Sequence, residues 1–228
     1  MRFTDTLERL RGGLIVSCQA YPGEAMRDPR TMAQVAASAL AGGAAGIRVQ
    51  GLDDIRATAH LPVPIVGLWK DGDAEVFITP TLRHAQAVAD AGADIVAVDG
   101  TRRPRPDGLT LAETIAGLRA YTDALIMADC GSLDDAIAAE AAGADILGTT
   151  LSGYTGERPK TTGPDLELIA LIAARCRRPI VAEGRVHTPE HAAAAIAAGA
   201  FSVCVGTAIT HPSTITTWFA DAIAGARA

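Results

Sequence analysis

Ala91-Gly-Ala-Asp-Ile-Val and Ala142-Gly-Ala-Asp-Ile-Leu are two copies of a signature that occurs four times in this chain of 228 residues. The less regular copies are Ala41-Gly-Gly-Ala-Ala-Gly-Ile-Arg and Ala198-Gly-Ala-Phe-Ser-Val. In each copy, a glycine suited to the left-handed end of a helix leads directly into apolar strand residues. The copies recur at about 50 residues, twice the length of one strand-helix unit. Four double units predict eight strands, and therefore an α/β fold of the (β/α)8 TIM barrel type.

Eight short apolar runs mark the predicted strands, because parallel strands buried on both faces are rich in Val and Ile. The runs are Gly13–Ser17, Gly46–Val49, Ile65–Leu68, Ile95–Val98, Ala124–Ala128, Ile146–Thr149, Ile180–Ala182 and Ser202–Val205. Hydrophobic residues make up 49% of the chain, enough for one large core. We therefore expect a single barrel domain over residues 1–228, preceded by a short N-terminal helix.

Several helix starts are legible from capping residues. A polar residue precedes a first-turn proline at Asp28-Pro29, Thr79-Pro80, Thr188-Pro189 and His211-Pro212. Ser132 with Asp135 resembles a capping box. Two long segments, Gln19–Arg27 and Leu151–Asp165, are expected to be loops over a site.

Composition argues against several classes of function. A net charge of −6 with 4% aromatic residues and no basic run argues against a nucleic-acid partner. No apolar run is long enough to span a membrane, and the first ten residues predict an amphipathic helix rather than a signal peptide. Four cysteines without a Cys-x-x-Cys motif indicate reduced thiols in a cytoplasmic protein.

Cofactor motifs are also missing from the sequence. There is no Gly-x-Gly-x-x-Gly, Walker loop or serine elbow, so neither NAD, ATP nor acyl-enzyme chemistry has support. His187 and His191 have a metal-pair spacing, but the predicted helix start between them argues against a shared face. His84 and His60 are predicted to be surface residues. We expect no metal and no cofactor.

Polar residues at the strand ends identify the predicted active face. The carboxyl ends of barrel strands converge on one mouth, where barrel enzymes hold their chemistry. The residues at or just past those ends are Gln19, Arg48, Lys70, Asp99, Asp129, Thr149, Thr150, Glu183, Gly184, Arg185, Gly206 and Thr207.

The last two loops predict a phosphate site. Loops after strands seven and eight commonly bind phosphate in barrels through backbone N–H groups. Gly184 and Gly206 would allow close backbone approach, and Arg185 and Thr207 would donate to phosphate oxygens. The alternative is that both glycines only form tight turns.

Lys70 and Glu183 would face each other across the mouth, since they follow strands three and seven. Three interpretations remain open on this spacing: proton transfer at one carbon, a Schiff-base lysine, or a structural ion pair. As a general base, Lys70 would need its pKa lowered by burial or by Arg48 or Arg185. Asp99 and Asp129 could orient Lys70 or bind substrate hydroxyls, and a carboxylate there could also cap the next helix.

Specific motifs then resemble a known family. They are Gly13-Leu-Ile-Val-Ser-Cys-Gln-Ala, Phe77-Ile-Thr-Pro-Thr, Asp99-Gly-Thr-Arg-Arg-Pro-Arg-Pro, Met127-Ala-Asp-Cys, Gly148-Thr-Thr-Leu-Ser-Gly-Tyr-Thr and Ala182-Glu-Gly-Arg. From about Gly12 to Phe219 the chain is similar to bacterial N-acetylmannosamine-6-phosphate 2-epimerases. The resemblance implies an isomerase that interconverts N-acetylmannosamine 6-phosphate and N-acetylglucosamine 6-phosphate in sialic-acid and amino-sugar use, and it favours proton transfer by Lys70.

The expected roles follow from that resemblance. Lys70 would be the base and Glu183 the acid or second base. The binding of the N-acetyl group, hydroxyls and O1 would fall to Gln19, Arg48 and Asp129, with Asp99 and Thr149 as further candidates. The partner would be an amino-sugar phosphate, and a homodimer is left open.

Two departures from the family pattern stand out, and two rival functions stay open. His211 stands where the family usually has Arg, and Asp71 stands where a basic residue is common, in a segment a couple of residues shorter than usual. The rivals are a Schiff-base lyase on a related sugar phosphate and a catalytically silent sugar-phosphate binding protein.

Overall fold

A computed structural model describes residues 3–226 of the chain. The strands are β1 Leu14–Cys18, β2 Gly46–Gln50, β3 Ile65–Leu68, β4 Ile95–Asp99, β5 Leu125–Asp129, β6 Ile146–Gly148, β7 Ile180–Glu183 and β8 Ser202–Val205. The helices are α1 Phe3–Leu10, α2 Pro29–Ala41, α3 Leu52–Thr58, α4 Leu82–Asp90, α5 Leu111–Arg119, α6 Leu133–Ala142, α7 Leu166–Arg175, α8 Pro189–Ala197, α9 Thr207–Thr210 and α10 Pro212–Gly225. Of the predicted domain, residues 1, 2, 227 and 228 lie outside the described part.

The eight strands form a closed parallel barrel in sequence order, and β8 pairs with β1. This confirms the (β/α)8 fold class. The four signature glycines have φ angles of 96°, 103°, 97° and 108°, each in the left-handed region. They precede β2, β4, β6 and β8, so every second strand is entered through the same helix-ending turn.

Residues alternate between two layers along each strand. One apolar cluster fills the barrel interior and includes Ile15, Val66, Ile95, Met127 and Val181. The intervening apolar strand residues belong to two further clusters that pack against helix residues outside the barrel. This alternation decides which side chains reach the mouth.

Three of the four predicted proline starts are confirmed, since α2, α8 and α10 begin at Pro29, Pro189 and Pro212. The prediction at Thr79-Pro80 is wrong, because α4 begins at Leu82 behind the cap Thr81. Thr79 has φ 46°, and its hydroxyl accepts a hydrogen bond from the Trp69 amide at 3.1 Å.

The capping box predicted at Ser132 is half correct. Ser132 caps α6 by accepting from the Asp135 amide. The Asp135 carboxylate, however, accepts from Gly131 N and from Arg102 instead of closing the box. A reciprocal capping box forms at Thr110 and Glu113, where α5 begins.

Two surface features depart from a simple barrel. His84 on α4 is buried, so its predicted surface position is wrong, whereas His60 is exposed as predicted. Helix α10 has no buried residue, and Phe219 is 68% exposed. Within residues 3–226, no helix is long and apolar enough to cross a bilayer.

Candidate active site

A cavity of about 430 Å³ opens where the carboxyl ends of the strands meet. Eight of the twelve residues predicted at the mouth line it: Gln19, Lys70, Thr150, Glu183, Gly184, Arg185, Gly206 and Thr207. The structure therefore brings these residues together around one cavity. The remaining four, Arg48, Asp99, Asp129 and Thr149, do not line the cavity.

Lys70 reaches the cavity from a short hairpin rather than from β3 itself. Its Nζ donates a hydrogen bond to Gln19 Oε1 at 2.8 Å and lies 5.3 Å from the centroid of the Tyr21 ring. Gln19 is fixed in turn, because its Nε2 donates to Ser17 Oγ at 2.8 Å. Burial lowers the pKa of Lys70, and the positive charge of Arg48 lowers it further. A larger share of this amine is therefore neutral than in water.

Glu183 ends β7 and belongs to a charged cluster below the cavity. Arg48 Nη1 lies 3.2 Å from its Oε2, and Arg48 Nη2 lies 2.6 Å from Asp129 Oδ2. The side chains of Arg48 and Asp129 are 2% and 0% exposed. Thr150 Oγ1 donates to Asp129 Oδ1 at 2.8 Å and lies 3.2 Å from Glu183 Oε2. One arginine thus balances two carboxyl groups beneath the cavity.

The protonation of Glu183 reflects competing effects. Burial raises its pKa, the charge of Arg48 lowers it, and the charge of Asp129 raises it again, with a raised pKa as the net result. A carboxyl group with a raised pKa and an amine with a lowered pKa therefore line one cavity. Such a pair suits the transfer of protons to and from a substrate.

Two of the predicted residues outside the lining, Asp99 and Thr149, contact residues that line the cavity. Asp99 accepts from Thr101 Oγ1 at 2.5 Å and from Arg103 Nη2 at 2.8 Å, and burial raises its pKa. Arg103 does line the cavity. Thr149 bridges β6 and β7: its hydroxyl accepts from the Glu183 amide at 3.0 Å and donates to the Glu183 carbonyl at 2.9 Å.

Arg185 crosses the loop between β6 and α7. Its guanidinium donates to Ser152 O at 2.8 Å and to Gly163 O at 3.1 Å. It also lies 5.4 Å from the centroid of the Tyr154 ring, and Tyr154 lines the cavity. Arg185 therefore holds the predicted loop 151–165 against the mouth while presenting a positive charge there.

Sequence reasoning missed several lining residues that sit in segments it had singled out. Tyr21 lies in the predicted loop 19–27, and Arg103 and Tyr154 lie in the motifs that carry the resemblance. Thr150 could have been preferred to Thr149 by counting alternate residues from Ile146, which faces the barrel interior. His211 lines the cavity, with its Nδ1 3.6 Å from Glu24 Oε1.

The histidine pair near α8 is explained by packing. His187 N donates to His191 Nδ1 at 3.3 Å, and the His187 ring lies 4.9 Å from the Trp218 ring. Within residues 3–226, no three His, Cys, Asp or Glu side chains are grouped as metal ligands would be.

The family model described as "Putative N-acetylmannosamine-6-phosphate epimerase" matches residues 32–225, which is most of the chain. The chain belongs to the N-acetylmannosamine-6-phosphate epimerase family. A relative from Cutibacterium acnes, named as a 2-epimerase of this family, is 58% identical over 225 residues, covering 97% of this chain and 98% of the relative. A relative of the same name from Caldanaerobacter subterraneus is 46% identical over 220 residues, covering 94% of this chain and 92% of the relative.

Solved structures agree with this placement. The N-acetylmannosamine-6-phosphate 2-epimerase from Clostridium perfringens is 36% identical, with a TM-score of 0.92 over 97% of both chains. A thiamine phosphate pyrophosphorylase from Pyrococcus furiosus is 19% identical, with a TM-score of 0.61, covering 90% of this chain and 91% of that one. The second similarity supports the barrel fold alone. Membership of the epimerase family identifies the chain as an isomerase.

Proposed function

We propose that the chain is an epimerase that interconverts N-acetylmannosamine 6-phosphate and N-acetylglucosamine 6-phosphate. One observation carries the proposal within this family: Lys70 and Glu183 line a single cavity, with the pKa of the amine lowered and that of the carboxyl raised. Epimerisation at a carbon needs one group to remove a proton and a second to return one to the opposite face. Lys70 supplies the first group as a neutral amine, and Glu183 supplies the second as a neutral carboxyl.

The reaction begins with ring opening, which creates an aldehyde and acidifies the C2–H bond. The Lys70 amine takes the C2 proton, and the electron pair of that bond moves to the aldehyde oxygen to form an enolate. The Glu183 carboxyl returns a proton to the opposite face of C2, and the resulting carboxylate is stabilised by Arg48 at 3.2 Å. The reverse reaction exchanges the roles of the two groups. Proton exchange with water restores the neutral amine and the neutral carboxyl before the next forward turnover. We propose no metal or nucleotide for this reaction, because the carbonyl group of the open sugar already acidifies the C2–H bond.

Substrate binding would use the residues around this pair. Gln19 would contact the substrate next to Lys70, to which it is hydrogen-bonded at 2.8 Å. The phosphate would lie against the backbone of Gly184 and Gly206, with Arg185 and Thr207 as donors. The buried Arg48–Asp129 pair would act on substrate through Glu183 and Thr150 rather than by direct contact.

The test is an NMR assay with N-acetylmannosamine 6-phosphate in D2O. We expect N-acetylglucosamine 6-phosphate with deuterium at C2, and product that retains all its protium would overturn the enolate route. A lysine with a lowered pKa also suits imine formation. Borohydride trapping of substrate on Lys70 would indicate a Schiff-base lyase instead. Tight binding without C2 exchange would indicate a silent binding protein.

We also propose that the protein is a homodimer in which the exposed apolar face of α10 lies in the interface. Phe219 and Ile223 on this helix are 68% and 57% exposed, and Asp221 is its one charged residue. Exposed apolar faces of this kind mark interaction surfaces. Analytical ultracentrifugation should give a dimer for the unmodified chain and a monomer for Phe219→Glu. A monomer in both would refute this assembly.

The chemistry of the proposed substrates and of the cysteines supports a proposal for the cellular role of the protein. The two proposed substrates, N-acetylmannosamine 6-phosphate and N-acetylglucosamine 6-phosphate, are amino-sugar phosphates. This chemistry points to sialic-acid and amino-sugar catabolism. Four cysteines without a disulfide among them fit a reducing compartment, so we propose that the protein works in the cytoplasm. Growth on N-acetylmannosamine or sialic acid as carbon source, with and without the gene, tests the catabolic role.

A further inference from the structure

The backbone of Lys70 is held by a short hairpin formed by residues 69–79. The amide of Thr79 donates to Trp69 O at 2.8 Å, and the amide of Asp71 donates to Phe77 O at 3.0 Å. Lys70 pairs with Ile78 in an isolated antiparallel bridge between these two bonds. Because Lys70 lies beyond the end of β3, the barrel ladder does not fix its height in the cavity. The hairpin does.

One side chain, His84 of α4, contacts both neighbours of Lys70. Its Nε2 lies 2.9 Å from Asp71 Oδ2. Its ring lies 4.5 Å from the Trp69 ring, tilted by 57°. The two residues that flank Lys70 are therefore anchored to the same imidazole.

The imidazole is itself well fixed. Its side chain is 6% exposed, and Nδ1 lies 2.5 Å from Thr81 Oγ1, the cap of α4. A neutral ring with its proton on Nε2 satisfies both contacts, since Nε2–H donates to Asp71 and Nδ1 accepts from the Thr81 hydroxyl. The exposed Arg83 guanidinium, 3.4 Å from Nε2, also faces this group. Helix α4 thus provides a rigid support for the hairpin.

Stability does not explain this arrangement. The Asp71 side chain is 52% exposed, and a side-chain contact that water can reach adds little to the stability of a fold. The hydrogen bond from His84 lowers the pKa of Asp71, so the acceptor stays ionised. Residues 72–75 at the hairpin tip are exposed. The contact therefore orders the arm that carries Lys70 rather than the core.

We propose that His84 is a positioning residue for Lys70, acting through its hydrogen bond to Asp71 and its packing on Trp69. The proposal rests on the proposed function, in which the Lys70 amine takes the C2 proton. A proton-transfer group must lie within hydrogen-bond reach of its target, and small displacements of such a group reduce turnover strongly. Loosening the hairpin would reduce turnover while leaving substrate affinity in place.

The test compares Asp71→Ala, Asp71→Asn and the control Asp73→Ala, an exposed acidic residue of the same hairpin. Asp71→Ala should reduce kcat and the rate of C2 deuterium exchange about 10- to 100-fold, with KM unchanged. Asp71→Asn retains an oxygen acceptor for Nε2–H and should recover most of the rate. Asp73→Ala should behave as the unmodified protein.

A second variant, His84→Phe, keeps a ring against Trp69 and removes the hydrogen bond. It should reduce kcat as Asp71→Ala does, and the double variant should be no worse than either. Equal losses in Asp71→Asn and Asp71→Ala, with a shifted pH profile, would overturn the proposal in favour of a charge effect on Lys70. An unchanged kcat in Asp71→Ala would overturn it outright.

Amide hydrogen exchange separates this proposal from the proposed function. The Asp71 and Thr79 amides should exchange at least tenfold faster in Asp71→Ala, while the β4 and β5 amides keep their protection. If the unmodified protein does not exchange the C2 proton of the substrate, the proposed function fails. Faster amide exchange in the hairpin of Asp71→Ala would still support anchoring by His84. Unchanged hairpin exchange would overturn the anchoring.

Discussion

Replacement of Arg48 by Met tests the charged cluster beneath the cavity. Arg48 and Asp129 are 2% and 0% exposed and joined at 2.6 Å, and Glu183 lies 3.2 Å from the same guanidinium. Removing one partner of a buried pair leaves an uncompensated charge and costs about 3–5 kcal/mol. For a domain of this length, that loss corresponds to about 6–20 °C in Tm. Thermal unfolding followed by circular dichroism measures it directly.

A double variant provides the matched control. Arg48→Met combined with Asp129→Leu removes both charges and replaces them with apolar side chains of similar size. Such replacements are often neutral or stabilising, so the double variant should recover most of the lost Tm. A single variant that loses less than about 1 kcal/mol, or a double variant no better than the single one, would refute the charge-pair explanation.

The same variant should shift the pH profile of kcat/KM to higher pH. The arm that rises with pH reports loss of the Lys70 proton, and Arg48 lowers the pKa of that amine. The arm that falls with pH reports loss of the Glu183 proton, and Arg48 lowers that pKa as well. Without Arg48 both pKa values rise, so both arms move in one direction. A shift to lower pH, or arms that move apart, would contradict the assigned electrostatics.

Three further predictions follow from single side chains. Lys70→Arg should reduce C2 deuterium exchange by at least about 100-fold, because a guanidinium does not lose its proton near neutral pH; exchange at the original rate in the NMR assay would exclude Lys70 as the base. Gly184→Ala should lower the free energy of unfolding in urea by about 1–3 kcal/mol, because Gly184 has φ 108°. The control Gly225→Ala should not lower it, because there is open space around that position. Arg185→Ala should raise KM about tenfold or more, because it removes a proposed donor to the substrate phosphate. It should also speed amide exchange in loop 151–165, because it removes hydrogen bonds to Ser152 O and Gly163 O. An unchanged KM would remove Arg185 from substrate binding.

The barrel was predictable because its signal is repeated and local. The helix-ending glycine recurs at a fixed spacing, and each copy requires a positive φ that other residues adopt at a cost. The strand ends that follow determine which residues gather at the mouth. Lys70, Glu183 and Gln19 were therefore placed in one cavity without knowledge of any long-range contact.

The depth of each side chain was not predictable in the same way. Arg48 and Asp129 were expected to bind substrate, but they pair with each other below the cavity. Their depth depends on the stagger between neighbouring strands, which pairs Asp129 with Asp99 and Arg48 with Val66. The hairpin that carries Lys70 was missed because Thr79 adopts a left-handed conformation for which its sequence gives no signal.

The placement of Gln19 explains how an amine and a carboxyl can share one cavity and both remain useful. A lysine and a glutamate in direct contact would transfer a proton between themselves and form a stable ion pair, leaving neither free for the substrate. Here Lys70 Nζ donates to the neutral Gln19 Oε1, and the ion pair of Glu183 recorded within residues 3–226 is with Arg48. Burial lowers the pKa of Lys70 and raises that of Glu183, and the charge of Arg48 lowers both pKa values. In the proposed reaction, a substrate carbon held between the two groups receives a proton from either side.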